Sequence, residues 1–368
     1  MHDTLSDLRA LAGLEHEPYV PRGHDAISWL ELGINYDDYL VGEGFIERGT
    51  ASILAGSSGI GKSSLAVQKG ILWSAGKSAF NLDPRKALRI VLTQNEDSNN
   101  DIVKQMAVSR QLGLSDSERR LVSENFWVEP FKGYTGQDAI NKWAELCKWF
   151  KADLLIVNPL SAYYEGDISS NEDNQQFLYG SLARMLQELK IACHSIHHKT
   201  KPHKNPRELP YHEKMYDMLG GSVLTNFHRA IILVDPVGES DVYEFTIAKR
   251  FAESGWPLKT QLFKWHEDKA KRLWVPASSA EATQAKAKGN SCSDLVALVP
   301  LHGSIDKKIL RRNAMDNKFT ERHYEAALAE CLDDLTPDDL RLYEWKVPNP
   351  HGGPRKRISR FPQQSAKD

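Results

Sequence analysis

The run Gly56-Ser57-Ser58-Gly59-Ile60-Gly61-Lys62-Ser63 fits G-x-x-x-x-G-K-[ST] without a mismatch. A loop of this type turns successive backbone N–H groups, and a helix N-terminus, toward one point where an anion can sit. Lys62 would reach the β- and γ-phosphates of a nucleoside triphosphate, and the Ser63 hydroxyl would ligate Mg²⁺. The expected ligands are ATP and Mg²⁺, cradled by the residues from Gly56 through Ser64. A glycine-rich turn with an incidental lysine is the bland alternative, and the flanks argue against it. Ala51–Ala55 reads as a short buried strand and Ser63–Ala75 as a helix, the setting the loop requires.

Hydrolysis needs a water held in line with the γ-phosphate and a group to orient or deprotonate it. A second apolar run, Leu88–Thr93, ends in Gln94-Asn95-Glu96-Asp97. Glu96 is the candidate catalytic carboxylate, with Asp97 its neighbouring competitor. A third run, Asp153–Val157, ends in Asn158, where an aspartate usually holds Mg²⁺ through its water shell. An amide accepts a hydrogen bond from metal-bound water but brings no charge, so the metal would rest on Ser63, the phosphates and water. The strand Ile191–Ile196 delivers His197, His198 and Lys199. One histidine, His197 or His198, could sense the γ-phosphate and relay its loss. The following loop carries Lys199, Lys201, His203, Lys204 and Arg207, which suit contacts to a nucleic-acid backbone or form a solvated charge run. Arg229 and the pair Lys249-Arg250 flank later strands, and each is a candidate arginine- or lysine-finger acting on a neighbour's ATP. Tyr39 could stack on an adenine, although an aromatic covering the core is the simpler explanation.

These residues need a frame that gathers strand ends. Apolar runs alternate with helical spacing: Asp101–Leu112 and Gln137–Lys151 read as helices, and about Gln175–Lys190 carries Leu178, Leu182, Met185, Leu186 and Leu189 on one stripe. Strands Phe126–Val128, Ala230–Val234 and Tyr243–Ala248, and a hairpin of Gln261–Trp265 with Lys271–Val275, complete the pattern. This describes an open α/β domain with a mostly parallel central sheet, whose ligands lie beyond the carboxyl ends of the strands. Five segments follow: an N-terminal arm at 1–40, an ATPase domain at 41–275, a linker at 276–291, a small domain at 292–362 and a tail at 363–368. The small domain reads as three short helices and a β-hairpin, the plan of a winged helix-turn-helix.

Whole-chain composition sets the background. Of 368 residues 41% are hydrophobic and 26% charged, with a net charge of −2 that favours no partner class. Cys147, Cys193, Cys292 and Cys331 lack metal spacing and read as reduced thiols of a cytoplasmic protein. No apolar run approaches the roughly 20 residues of a membrane span, so no membrane partner is expected.

The ordered set of Ala55–Ser64, Gln94–Asp97, Asp153–Ser161, His197–Lys199 and Gly221–Asn226 resembles RecA-like ATPases of the plasmid hexameric replicative helicase type, from about Leu40 to Val275. The resemblance implies a RecA-like P-loop core, a catalytic acid at Glu96, the Walker-B aspartate position at Asn158, a trans finger at Arg229 and a second basic candidate at Lys249. It also implies single-stranded DNA as partner and a homo-oligomer, with a hexamer favoured. The expected function is a DNA-dependent ATPase, a ring-forming helicase of a plasmid, phage or mobile element. The alternative is an ATP-switched regulator with slow hydrolysis, whose C-terminal domain docks on duplex DNA or a replication protein. A small-molecule kinase has no motif to support it.

Overall fold

The computed structural model describes residues 23–199, 215–218, 221–238, 240–287, 292–302, 304–317, 319, 321–333, 336, 341–347, 349 and 354–360. Residues 1–22 of the expected N-terminal arm, the basic loop residues Lys201, His203, Lys204 and Arg207, and the tail at 363–368 lie outside them. The chain divides into two compact units, residues 1–38 and 39–368. In the first, Ala26–Leu32 is a helix whose N-cap Asp25 accepts from the backbone N–H of Ile27 and Ser28, at 3.0 and 3.1 Å. Its Trp29 and Leu30 are exposed.

The second unit opens with a small ribbon, β1 (Tyr39–Val41) with β2 (Ile46–Glu47), and is built on a nine-stranded sheet. Six strands run parallel: β3 (Ala51–Gly56), β4 (Ile90–Gln94), β5 (Phe126–Pro130), β6 (Leu154–Asn158), β7 (Ala192–His198) and β8 (Ala230–Pro236). Three more, β9 (Val242–Lys249), β10 (Thr260–Trp265) and β11 (Trp274–Pro276), extend it antiparallel. The spatial order is β11-β10-β9-β8-β3-β7-β6-β4-β5. Alternation explains why the central strands read as unbroken apolar runs. Leu54, Leu92, Ile156 and Ile232 enter one core with the helix Lys62–Ser74. Their neighbours Ile53, Val91, Leu155 and Ile231 enter the other, with Gly136–Phe150 and the helical run from Asn171 to Leu189. The α/β class with a mostly parallel sheet is as expected.

Several local readings change. Ser279–Ala287, inside the expected linker, is a helix. Ser278 and Glu281 bond reciprocally at its start, Lys264 pairs with Glu281, and Ala282 is buried. Asp116–Asn125 is an unanticipated helix with a capping box between Ser115 and Glu118. The helix expected from Gln175 begins at Asn171 and passes through a π-helical stretch, Gln175–Leu182. Cys331 is disulfide-bonded rather than a reduced thiol, whereas Cys147 and Cys193 are free and buried.

Toward the C-terminus, the helices Cys292–Ala297, Lys307–Asp316 and Glu321–Cys331 surround a separate apolar cluster that includes Leu295, Leu310, Tyr324 and Ile358. A three-stranded sheet of β12 (Ile305–Asp306), β14 (Arg355–Ser359) and β13 (Tyr343–Val347) closes it. Among the described residues no helix is long and apolar enough to cross a membrane.

Candidate nucleotide site

Register brings the polar strand ends together. Gly56 lies opposite His198, and Gln94 opposite Asn158, in adjoining parallel pairs. The loop from Gly56 turns through Gly59 at φ +79° and Gly61 at φ +86°, a conformation glycine adopts without strain. A Cβ on Gly56 would sit 2.5 Å from Ile60 Cδ1 and 2.9 Å from the Val234 carbonyl oxygen, so that position accepts glycine alone. The helix starts at Lys62 with no side-chain cap, which leaves its first amides and positive dipole end for a ligand.

Lys62 is 6% exposed and folds back onto the loop. Its Nζ donates to the Ser57 carbonyl at 2.7 Å and lies 3.2 Å from His198 Nδ1. Burial pushes the ammonium down to about 8, while the Glu96 charge works in the opposite direction. His198 is likewise lowered, by burial and then by Lys62. A cation held by one carbonyl and one imidazole, at the foot of an uncapped helix, suits a triphosphate, which would take over as its counter-charge. Glu96 stands two residues past β4, exposed, and its charge acts on both Lys62 and His198.

Asn158, 4% exposed, belongs to a neutral relay. Its Nδ2 donates to Gln94 Oε1 at 3.3 Å, and Gln94 Nε2 donates to Gln105 Oε1 at 3.0 Å. The Asn158 carbonyl accepts from Asn95 N–H at 3.2 Å, which fixes the root of the loop carrying Glu96. Among the described residues no group of three His, Cys, Asp or Glu could hold a metal by itself. The donor set of Ser63 with the Asn158 amide fits Mg²⁺ only as a partner of bound phosphates.

Strand parity decides between the two histidines. His194, Ile196 and His198 alternate onto the face of the P-loop helix, so His198 meets Lys62. His197, one of the two candidate sensors, turns to the opposite core and is fully buried near His228. Lys199 is also not presented to a ligand: its Nζ is 2.6 Å from Asp235 and its side chain 9% exposed. Tyr39 packs its ring on Gly44 with the Arg85 guanidinium 5.9 Å from its centroid, a covering role.

The three finger candidates occupy the far edge of the sheet. Lys249 pairs with Ile231 at the start of β8, and Arg229 N–H donates to the Ala51 carbonyl at the start of β3. The length of β3 then separates them from Gly56, about 17 Å at strand rise. None can serve its own P-loop. Lys249 Nζ caps the helix Gly221–Phe227, donating to the Thr225 and His228 carbonyls at 3.0 Å each. Arg250 donates to the Gly44 carbonyl and lies 3.3 Å from Glu47. Arg229 is exposed.

Sequence reasoning missed Trp265, whose ring crowds Gly61 so closely that a Cβ there would lie 2.0 Å from it. No local signal announces this contact, because β10 reaches the loop only through the sheet. It also missed Gln94 as the link between Asn158 and the helix Asn99–Met106.

An AAA domain family model matches residues 21–204, half of the chain. No curated protein matches the chain. Among solved structures the chain is similar to the RadB recombinase crystal structure, at 16% identity and a TM-score of 0.43, over 63% of this chain and 92% of that one. With its intact P-loop the protein is a P-loop ATPase, and it belongs to the AAA domain family.

Proposed function

We propose that the chain is a DNA-dependent ATPase working as a ring-forming replicative helicase of a plasmid, phage or related mobile element, with a hexamer the favoured ring. The observation that carries this reading is the separation of Lys62 and Glu96, at the carboxyl edge of the sheet, from exposed Arg229 at the amino edge. A site completed by Arg229 needs a second copy of the chain, as subunits stacked around a ring provide. In this scheme Lys62 holds the β- and γ-phosphates, Ser63 ligates Mg²⁺, and Glu96 orients and deprotonates the attacking water. Arg229 of the neighbouring copy neutralises transition-state charge. Lys249 and Arg250 act instead in holding the edge that presents Arg229. His198 follows the state of Lys62, and Lys201, Lys204 and Arg207 contact the phosphates of single-stranded DNA. The ATPase domain spans 41–275, and 292–362 forms a winged-helix domain that docks on duplex DNA.

Single-stranded DNA should raise the ATP hydrolysis rate severalfold; an unchanged rate contradicts translocation. Arg229→Ala should lower hydrolysis by roughly 10³-fold with ATP binding intact. A stable monomer with Mg-ATP at micromolar protein would remove the finger role.

The neutral relay through Asn158 favours a second reading, an ATP-switched DNA- or partner-binding protein with slow hydrolysis. Its signature is ATP-dependent assembly with a turnover that single-stranded DNA leaves unchanged.

A further inference from the structure

The C-terminal helices and hairpin enclose a cleft of about 1190 Å³ whose walls differ in charge. One wall is the helix Lys307–Asp316 with the β13–β14 hairpin, and it carries Lys307, Lys308, Arg311, Lys346, Arg355 and Lys356 against one carboxylate, Asp306, the N-cap of that helix. Lys346 lies directly opposite Lys356 across the hairpin, an arrangement that destabilises a bare ribbon. The two strands hold one carboxylate, Glu344, and it is shared between Lys307 and Lys356, 2.7 Å from each. Lys308, Lys346 and Arg355 are exposed, with no ion-pair partner among the described residues. The other wall is the helix Glu321–Cys331, whose described cleft residues include Glu321, Glu325 and Ala329 and no cation. Glu321 already engages Arg311 at 2.7 Å.

We infer that this cleft takes duplex DNA by its phosphates, gripped by the hairpin and the first turns of the helix Lys307–Asp316, while the carboxylates of Glu321–Cys331 hold that helix away from the duplex. The inference rests on the reading that this unit docks on duplex DNA, and adds which wall makes the contact. A phosphate line relieves the opposed lysines, and the same line is repelled by Glu325, whereas Glu321 is already neutralised by Arg311. Contact through phosphates without base edges makes binding insensitive to sequence and steeply sensitive to salt.

The test is anisotropy of two labelled duplexes of unrelated sequence with the full chain, titrated in salt. The wild type should bind both alike. Lys346→Gln with Arg355→Gln should weaken both about tenfold and reduce the log–log salt slope by about 2. Lys308→Gln, on a different element, should reduce the slope by about 1. Glu325→Gln should tighten binding, which a merely structural role would not produce. Duplex binding that survives the hairpin changes, or that discriminates strongly between the sequences, overturns the inference and leaves docking intact. No duplex binding by the wild type sinks the docking reading itself and points to a protein as the occupant of the cleft.

Discussion

Lys62 and Lys69 leave the same helix, and each meets a histidine of β7. Lys62 Nζ is 3.2 Å from His198 Nδ1, and Lys69 Nζ is 3.1 Å from His194 Nε2. Their surroundings part there. Lys62 has the Ser57 carbonyl and the Glu96 charge beside it, at the open end of the strands. Lys69 is fully buried, with the Trp73 and Phe80 rings 5.6 and 6.0 Å from its nitrogen. Its histidine is tied in turn to Ser52 Oγ at 2.8 Å. One pair can exchange its partner for a ligand. The other is sealed, and what it governs is stability.

Breaking the outer pair should cost the most activity. Lys62→Ala should lower kcat/KM for ATP by about 10²–10³, the scale of one lost electrostatic donor, while Lys69→Met should leave hydrolysis near the wild-type rate. Steady-state ATPase assays of both variants check this contrast; equal losses would erase it.

The inner pair should announce itself in the pH dependence of stability. Burial pushes Lys69 down to about 7, below the ordinary lysine value of about 10.4. The folded state therefore binds fewer protons than the unfolded state between those values. The contribution is most favourable above about pH 10 and is lost as pH falls toward 7. Lys69→Met should be more stable than wild type at pH 7, on the order of 3 kcal/mol, with the gap closing as pH rises. Urea midpoints of the two proteins between pH 7 and 9.5 measure it, and a constant gap contradicts the assignment. A smaller effect, about 2 kcal/mol of destabilisation, should follow His194→Ala, because Lys69 and Ser52 both lose their partner in the core.

The outer pair was largely legible in the sequence, and the inner pair was not. Gly56–Ser63 is a local pattern with a local mechanism, and the apolar runs before it, before Glu96 and before Asn158 sufficed to set their strand ends side by side. Choosing His198 over His197 required the parity of β7 against the helix, which neighbouring residues do not encode. Lys69 looked like any polar residue of a helix, since only tertiary packing buries it. The far-edge location of Arg229 depended on β8 running parallel to β3, and that of Lys249 and Arg250 on β9 running antiparallel to β8. The two overlooked helices were different: Ser115 with Glu118, and Ser278 with Glu281, were capping signals in plain sequence.

The central claim is that the open end of these strands hydrolyses ATP with Glu96 as its catalytic carboxylate. The most direct measurement is Mg-ATP binding and turnover of Glu96→Gln in the presence of single-stranded DNA. Binding close to wild type with turnover reduced by about 10² or more is the predicted result. Turnover at the wild-type rate would contradict it and move the chemistry to another group.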